Sequence, residues 1–320
     1  MKFIQEAYKG INEWWAYLVT IIIFLIGWQL IGIIPLVVVA LQKTGGDMIE
    51  FQQAANESFA SLGINSNLYL LLIIATFVGG LIALLFGLKI IHKRTIMSVL
   101  TSRKKLDWNR IFYAFFLWFG IGAFFTVVEY YASPEDFVWN FKPIPFLILC
   151  LISFFLLPLQ TTMEEILFRG YLMQGFGTWF KKGFVAIILT SVIFGLLHGM
   201  NPEVEKLGWS VMIFYIGTGL LLGILTIMDE GTELAIGFHA ANNIVAAVLI
   251  TTDWTVFQTD ALLIDTSEPS IGIETFLPVF VLFPIVVYIF SKKYRWTGWH
   301  EKMFGRISKP IELKEDEFIA

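Results

Sequence analysis

The chain has 320 residues, of which 57% are hydrophobic and 15% charged, with a formal net charge of −4 and a mean hydropathy of +0.73. A soluble protein of this length needs far more polar surface, so the composition excludes an ordinary soluble enzyme and predicts a polytopic membrane protein. The single cysteine, Cys150, excludes an internal disulfide and a cysteine metal cluster.

Long apolar segments follow one another along most of the chain. A segment of about 18 or more apolar residues can cross a bilayer as a helix. The pattern therefore predicts an all-α polytopic membrane protein with about eight transmembrane helices. The predicted segments are roughly 16–40, 68–91, 111–131, 144–173, 184–199, 208–228, 234–251 and 275–291.

Basic residues are distributed unevenly between the predicted loops. Seven Lys and Arg residues lie between Lys89 and Arg110, and seven more follow from Lys292 to the end. The loops around 41–67, 132–143, 200–207 and 252–274 contain at most one each. Because cytoplasmic loops are enriched in Lys and Arg, this distribution predicts that both termini are cytoplasmic.

Ionisable and amide side chains interrupt three of the predicted membrane segments. A lone carboxyl group inside a membrane costs several kcal/mol unless it is paired, so such residues indicate a functional site. Their predicted depths along the helices are compatible with one shared cavity. The residues concerned are Glu164, Glu165 and Arg169 in the fourth segment, Phe194 and His198 in the fifth, and His239 and Asn243 in the seventh.

Helical spacing separates the two adjacent glutamates. Glu165 and Arg169 are four residues apart and share a helix face, so an ion pair with a structural role is the simpler interpretation. Glu164 points about 100° away and has no partner on its own helix. We therefore predict that Glu164 has a functional role, whereas Phe194 packs against and supports His198.

This set of side chains can support hydrolysis. A carboxylate and an imidazole can hold and deprotonate a water molecule, and a second histidine with an amide can stabilise an oxyanion. Glu164, His198 and His239 could instead bind a divalent metal such as zinc, which would make the protein a metalloprotease. The sequence leaves two possibilities open: the reaction needs no cofactor, or it needs a divalent metal such as zinc.

Three motifs in order resemble those of a known family. EEILFR (164–169) fits Glu-Glu-x-x-x-Arg, FGLLH (194–198) fits Phe-x-x-x-His, and HAANN (239–243) fits His-x-x-x-Asn. Together they resemble the CPBP family of intramembrane proteases, also called the Abi or CAAX prenyl protease 2-like family. HGMNP (198–202) is similar to the bacterial branch, which implies the bacterial inner (plasma) membrane.

The resemblance implies an intramembrane endopeptidase that acts on a membrane-associated protein or peptide. Glu164 and His198 would activate water, His239 and Asn243 would stabilise the oxyanion, and Glu165 and Arg169 would support the first motif. The lipid bilayer is the other expected partner, and no nucleic acid is expected. A non-catalytic membrane immunity or scaffold protein is the alternative, and a proton-coupled transporter is a third hypothesis.

The predicted organisation has three parts. Residues 1–143 would form N-terminal membrane helices with about three spans. Residues 144–251 would form the CPBP-like catalytic core. Residues 252–320 would form an extracytoplasmic loop, the final span and a cytoplasmic tail.

Overall fold

The computed structural model describes residues 2–310, apart from the side chain of Glu274. The predicted cytoplasmic tail from residue 311 onward lies outside these described residues. The α-helices are α1 Lys2–Gln5, α2 Trp14–Leu25, α3 Ile34–Lys43, α4 Met48–Asn56, α5 Ser66–Ile90, α6 Met97–Leu100, α7 Trp108–Ala132, α8 Pro143–Phe155, α9 Leu157–Glu165, α10 Met173–Phe180, α11 Gly183–Leu197, α12 Pro202–Leu207, α13 Met212–Asp229, α14 Glu233–Val248, α15 Ile273–Leu277, α16 Phe283–Lys293 and α17 Trp299–Phe304.

The described part of the chain is an all-α membrane protein, as predicted. By length and composition, seven of its helical stretches can cross a membrane. They correspond to seven of the eight predicted segments. These stretches are Trp14–Lys43, Ser66–Ile90, Trp108–Ala132, Pro143–Phe180, Gly183–Met200, Trp209–Asp229 and Thr275–Lys293.

The remaining predicted segment, 234–251, forms helix α14. This helix has 16 residues and is therefore about 24 Å long, short of the roughly 30 Å of a hydrocarbon core. Most of its side chains are buried inside the bundle. At Gly237 a β-carbon would overlap the carbonyl oxygen of Ile111, so glycine allows α14 to lie directly against α7. The short helix is thus surrounded by protein.

The fourth membrane stretch is not a single straight helix. Helix α8 ends at Phe155 and α9 begins at Leu157, immediately before Pro158. Proline lacks the backbone N–H that a continuous helix would use there, so the break lies where the residue type requires one. After Glu165 the chain widens into a π-helix, Ile166–Leu172, before α10. The predicted catalytic motif therefore lies at the junction between two helical forms.

One end of the bundle carries a small sheet that the sequence analysis did not predict. Its strands are β1 Phe137–Trp139, β2 Ile250–Thr251 and β3 Leu263–Asp265, in the order β1-β3-β2. Strand β3 is antiparallel to β1 and parallel to β2. The strands have only two or three residues each, too few for an alternating pattern to be visible in the sequence.

At the opposite end of the bundle, basic residues between Lys89 and Arg110 contact acidic residues at the end of α13. Arg103 and Arg110 bind the carboxylate of Asp229 at 2.9 and 2.5 Å, and the indole N–H of Trp296 donates to it at 3.1 Å. The backbone N–H of Phe3 donates to Glu230 at 2.8 Å. The acidic turn 229–233 therefore connects the N-terminal segment, the basic loop and the segment after α16.

Candidate active site

Glu165 and Arg169 form the ion pair that their spacing predicts. Nη1 of Arg169 lies 3.0 Å from Oε1 of Glu165, and both side chains are fully buried. A second nitrogen of Arg169 donates to the carbonyl oxygen of Gly219 at 3.4 Å, and its guanidinium lies 4.4 Å from the centre of the Phe194 ring. The pair therefore links the π-helix to α11 and α13 inside the bundle.

Glu165 also contacts His239 on α14. Nδ1 of His239 lies 2.7 Å from Oε1 of Glu165. A carboxylate paired with arginine accepts hydrogen bonds, so Nδ1 carries the proton and donates it. This bond fixes the orientation of the His239 ring and directs Nε2 to the other glutamate. The sequence assigned Glu165 to Arg169 alone and missed this second contact.

Glu164 lies next to the same histidine. Its Oε2 is 3.6 Å from Nε2 of His239, which is longer than a hydrogen bond. That oxygen is buried and has no hydrogen-bond partner. Two polar atoms at this separation can both bind one water molecule placed beside them. The free oxygen of Glu164 and Nε2 of His239 therefore face each other with room for one shared water molecule.

Gln160 is a site residue that the sequence analysis did not identify, and the expectation that Glu164 has no partner on its own helix is wrong. It lies on α9 one turn before Glu164 and donates from Nε2 to Oε1 of that glutamate at 2.5 Å. Its own Oε1 accepts a hydrogen bond from Nδ2 of Asn243 at 3.1 Å. Gln160 thus connects two of the predicted catalytic residues. The four-residue spacing to Glu164 was the available signal in the sequence.

His198 is placed differently from the other predicted residues. It follows the last residue of α11, and its Nδ1 donates to the carbonyl oxygen of Phe194 at 2.7 Å. The ring lies between Phe194 and Tyr215, with centroid distances of 4.5 Å to each. Within residues 2–310, no hydrogen bond or ion pair joins His198 to Glu164.

Phe194 separates the two histidines. Its ring centroid is 4.5 Å from that of His198 and 5.9 Å from that of His239. The predicted packing role of Phe194 agrees with these contacts. The structure therefore joins Glu164 to Asn243 through Gln160 and brings His239 to 3.6 Å from Glu164. It leaves His198 on the other side of one aromatic ring.

Comparison with known proteins identifies the segment that carries this cluster. Residues 143–245 match the family model described as Type II CAAX prenyl endopeptidase Rce1-like. This segment is similar to the Rce1-like family. It extends from the start of α8 into α14 and contains all the motif residues that indicated the resemblance. Over this Rce1-like segment, the chain is similar to CAAX-type membrane proteases.

One curated relative is similar to this chain, and its name states no function. YyaK, an uncharacterized protein of Bacillus subtilis (strain 168), is 30% identical over 166 residues. The match covers 52% of this chain and 56% of YyaK, so the chain spans a little over half the length of that relative. No solved structure matches this chain.

The Rce1-like segment does not contain a ready-made metal site. Within the described residues, no group of three or more His, Cys, Asp or Glu side chains is arranged to hold a metal ion. The zinc site predicted as an alternative, from Glu164, His198 and His239, is therefore not preformed. The arrangement gives the metalloprotease interpretation no support.

Proposed function

We propose that this chain is an intramembrane endopeptidase that hydrolyses a peptide bond of a membrane-associated protein or peptide through water activated by Glu164. The observation that carries the proposal is the buried, unpaired Oε2 of Glu164 facing Nε2 of His239 at 3.6 Å. A buried carboxyl oxygen left without a hydrogen bond is costly and is retained where it has a chemical task. The Rce1-like segment supports hydrolysis as that task.

The proposed reaction begins with proton transfer to Glu164. Oε2 accepts a proton from a water molecule, and the water oxygen forms a bond to the carbonyl carbon of the substrate. The peptide C–N bond then breaks, and the proton held by Glu164 moves to the leaving nitrogen. Glu164 thus acts first as the general base and then as the general acid.

The developing oxyanion needs hydrogen-bond donors. The Asn243 amide has two N–H groups, and Gln160 uses one of them, so the other is free to donate. His239 donates from Nδ1 to Glu165, and its Nε2 would donate to the oxyanion when that nitrogen carries a proton. We assign these two side chains to the oxyanion.

His198 is assigned to the same water molecule as Glu164. Because its Nδ1 carries the proton that Phe194 accepts, Nε2 of the neutral ring is an acceptor. This role requires the imidazole to approach Glu164 when substrate binds. Catalytic hydrogen bonds are often long before substrate binds and shorten in the complex.

The proposal includes a location and an orientation. The basic segments meet at one end of the bundle, and the small sheet lies at the other. With the positive-inside rule, this separation supports an orientation with both termini cytoplasmic. The resemblance to the bacterial branch supports a bacterial plasma membrane location. The substrate class is kept to membrane-associated proteins or peptides and is not restricted to prenylated ones.

The test compares newly formed peptide termini in membranes from cells that express wild type, Glu164→Gln or Glu205→Gln. Glu205 lies exposed on α12 and serves as the matched control. We expect a set of termini that depends on the wild-type chain, persists with Glu205→Gln and falls at least about a hundredfold with Glu164→Gln. Unchanged termini with equally abundant Glu164→Gln protein would contradict hydrolysis and favour the immunity or scaffold hypothesis.

A further inference from the structure

A chain of hydrogen bonds leads from α7 to Glu164. Nε1 of Trp118 donates to Oδ1 of Asn242 at 3.1 Å, and Nδ2 of Asn242 donates to Oδ1 of Asn243 at 3.4 Å. The bonds from Asn243 to Gln160 and from Gln160 to Glu164 continue the same series. Four successive bonds therefore connect α7, α14 and α9, and the last acceptor is the proposed catalytic acid.

The direction of this series is fixed at its first member. An indole N–H can only donate, whereas an amide side chain can present either its oxygen or its nitrogen to a neighbour. Trp118 therefore requires the oxygen of Asn242, which leaves the nitrogen of Asn242 for Asn243. Each following amide is oriented in the same way, so Gln160 presents its N–H to Glu164.

Trp118 is itself held firmly in place. Only 6% of its surface is exposed, and its ring stacks on Phe238 with a centroid distance of 4.3 Å and an interplanar angle of 28°. Phe283 lies 5.7 Å from it on another side. Phe238 precedes His239 on α14, so the same helix carries the stack and the histidine. The origin of the series is thus rigidly packed.

We propose that Trp118, Asn242 and Gln160 are positioning residues that set the direction of this hydrogen-bond series for catalysis by Glu164. The inference rests on the proposed function. In the observed direction, Oε1 of Glu164 receives an N–H and Oε2 stays free for water, while Asn243 keeps one N–H for the oxyanion. In the reverse direction, a carbonyl oxygen of Gln160 would face the carboxylate and repel it. Trp118 lies outside the Rce1-like segment, so the N-terminal helices contribute to the site.

The first test replaces Trp118 with phenylalanine, which keeps the aromatic stack and removes the N–H donor. The matched control is Trp108→Phe, because Trp108 begins the same helix and is 60% exposed. The substrate is a synthetic peptide spanning a terminus that depends on Glu164. We expect kcat to fall about five- to tenfold with KM unchanged for Trp118→Phe, and no change for Trp108→Phe. Equal kcat values in the two variants would overturn the proposal.

A second readout is independent of substrate. The infrared carboxylate band of Glu164 is identified by its loss in Glu164→Gln. We expect this band to shift in Trp118→Phe and in Gln160→Met, because both variants disturb the N–H donation to Oε1, and to stay in place in Trp108→Phe. An unshifted band in both positioning variants would overturn the proposal even if cleavage were affected. If the wild-type protein cleaves no peptide, the proposed function fails. The position of the carboxylate band still tests whether Gln160 donates its N–H to Glu164.

Discussion

His239 and Glu165 form a 2.7 Å hydrogen bond between α14 and the end of α9. The second glutamate of the first motif therefore has two partners, since it also pairs with Arg169 at 3.0 Å. Through this bond the carboxylate selects which nitrogen of His239 is protonated and where the other nitrogen points. Glu165 thus controls the geometry of the histidine without facing the proposed water itself.

Glu165→Gln should lower cleavage and also stability, because Arg169 is then a fully buried cation without its carboxylate. Cleavage is therefore compared on equal amounts of folded, purified protein. Glutamine can still accept from Nδ1 of His239, but the hydrogen bond is then no longer charge-assisted. Losing a charge-assisted hydrogen bond of about 1.5–3 kcal/mol predicts a decrease in kcat of about 10- to 100-fold. Steady-state kinetics on the terminus-derived peptide measures this effect. Full activity in Glu165→Gln would show that the bond has no role in catalysis.

Arg169→Met should be strongly destabilising. The substitution leaves Glu165 as a fully buried carboxylate without its cation, and such a loss costs about 3–5 kcal/mol. The double variant Glu165→Gln/Arg169→Met removes both charges and should recover part of that stability. Thermal unfolding in detergent compares the two. A double variant that is less stable than Arg169→Met would contradict this explanation.

Gly219→Ala should weaken the packing of α13 against α11. An added β-carbon would lie 2.8 Å from the Cα of Ser191, so the backbones would have to separate. Overpacking of this kind costs about 1–3 kcal/mol. Gly120→Ala on α7 is the matched control, because a β-carbon there meets nothing within 4 Å. Thermal unfolding should show a lower Tm for Gly219→Ala, and equal values for both variants would argue against close packing.

Glu203 should make stability depend on pH. Burial raises the pKa of its carboxyl above the ordinary value, although the backbone N–H of Val256 donates to it at 2.9 Å. The folded state therefore binds the proton more tightly than the unfolded state. This contribution to stability is fully present below the ordinary carboxyl pKa and is lost as the pH rises through the raised pKa.

The test measures Tm against pH for wild type, Glu203→Gln and Glu205→Gln. In Glu203→Gln the titrating group is absent, so the decrease in Tm as the pH rises above the ordinary carboxyl pKa should be smaller than in wild type. Glu205 lies on the same short helix and is exposed, so Glu205→Gln should keep the wild-type profile. Parallel profiles in all three proteins would exclude Glu203 as the source.

The sequence by itself determined the membrane character, the positions of seven spanning helices and the pair between Glu165 and Arg169. These features depend on local composition or on spacing within one helix, which a single sequence contains. The order of three motifs also indicated the family that residues 143–245 resemble, because their residue types and spacing are visible without any fold. The buried α14 was predicted as a full span since hydropathy does not distinguish lipid from protein surroundings.

Only the tertiary structure decided which side chains meet between helices. Rotation and axial shift of one helix against another depend on the packing of many side chains, so the spacing within α14 could not show that His239 reaches both glutamates. The same reason explains why His198 was paired with Glu164 from the sequence but lies beyond the Phe194 ring. Asn242 and Trp118 carry no local signature, and Gln160 carries only its four-residue spacing to Glu164. Their contacts arise only where three helices converge.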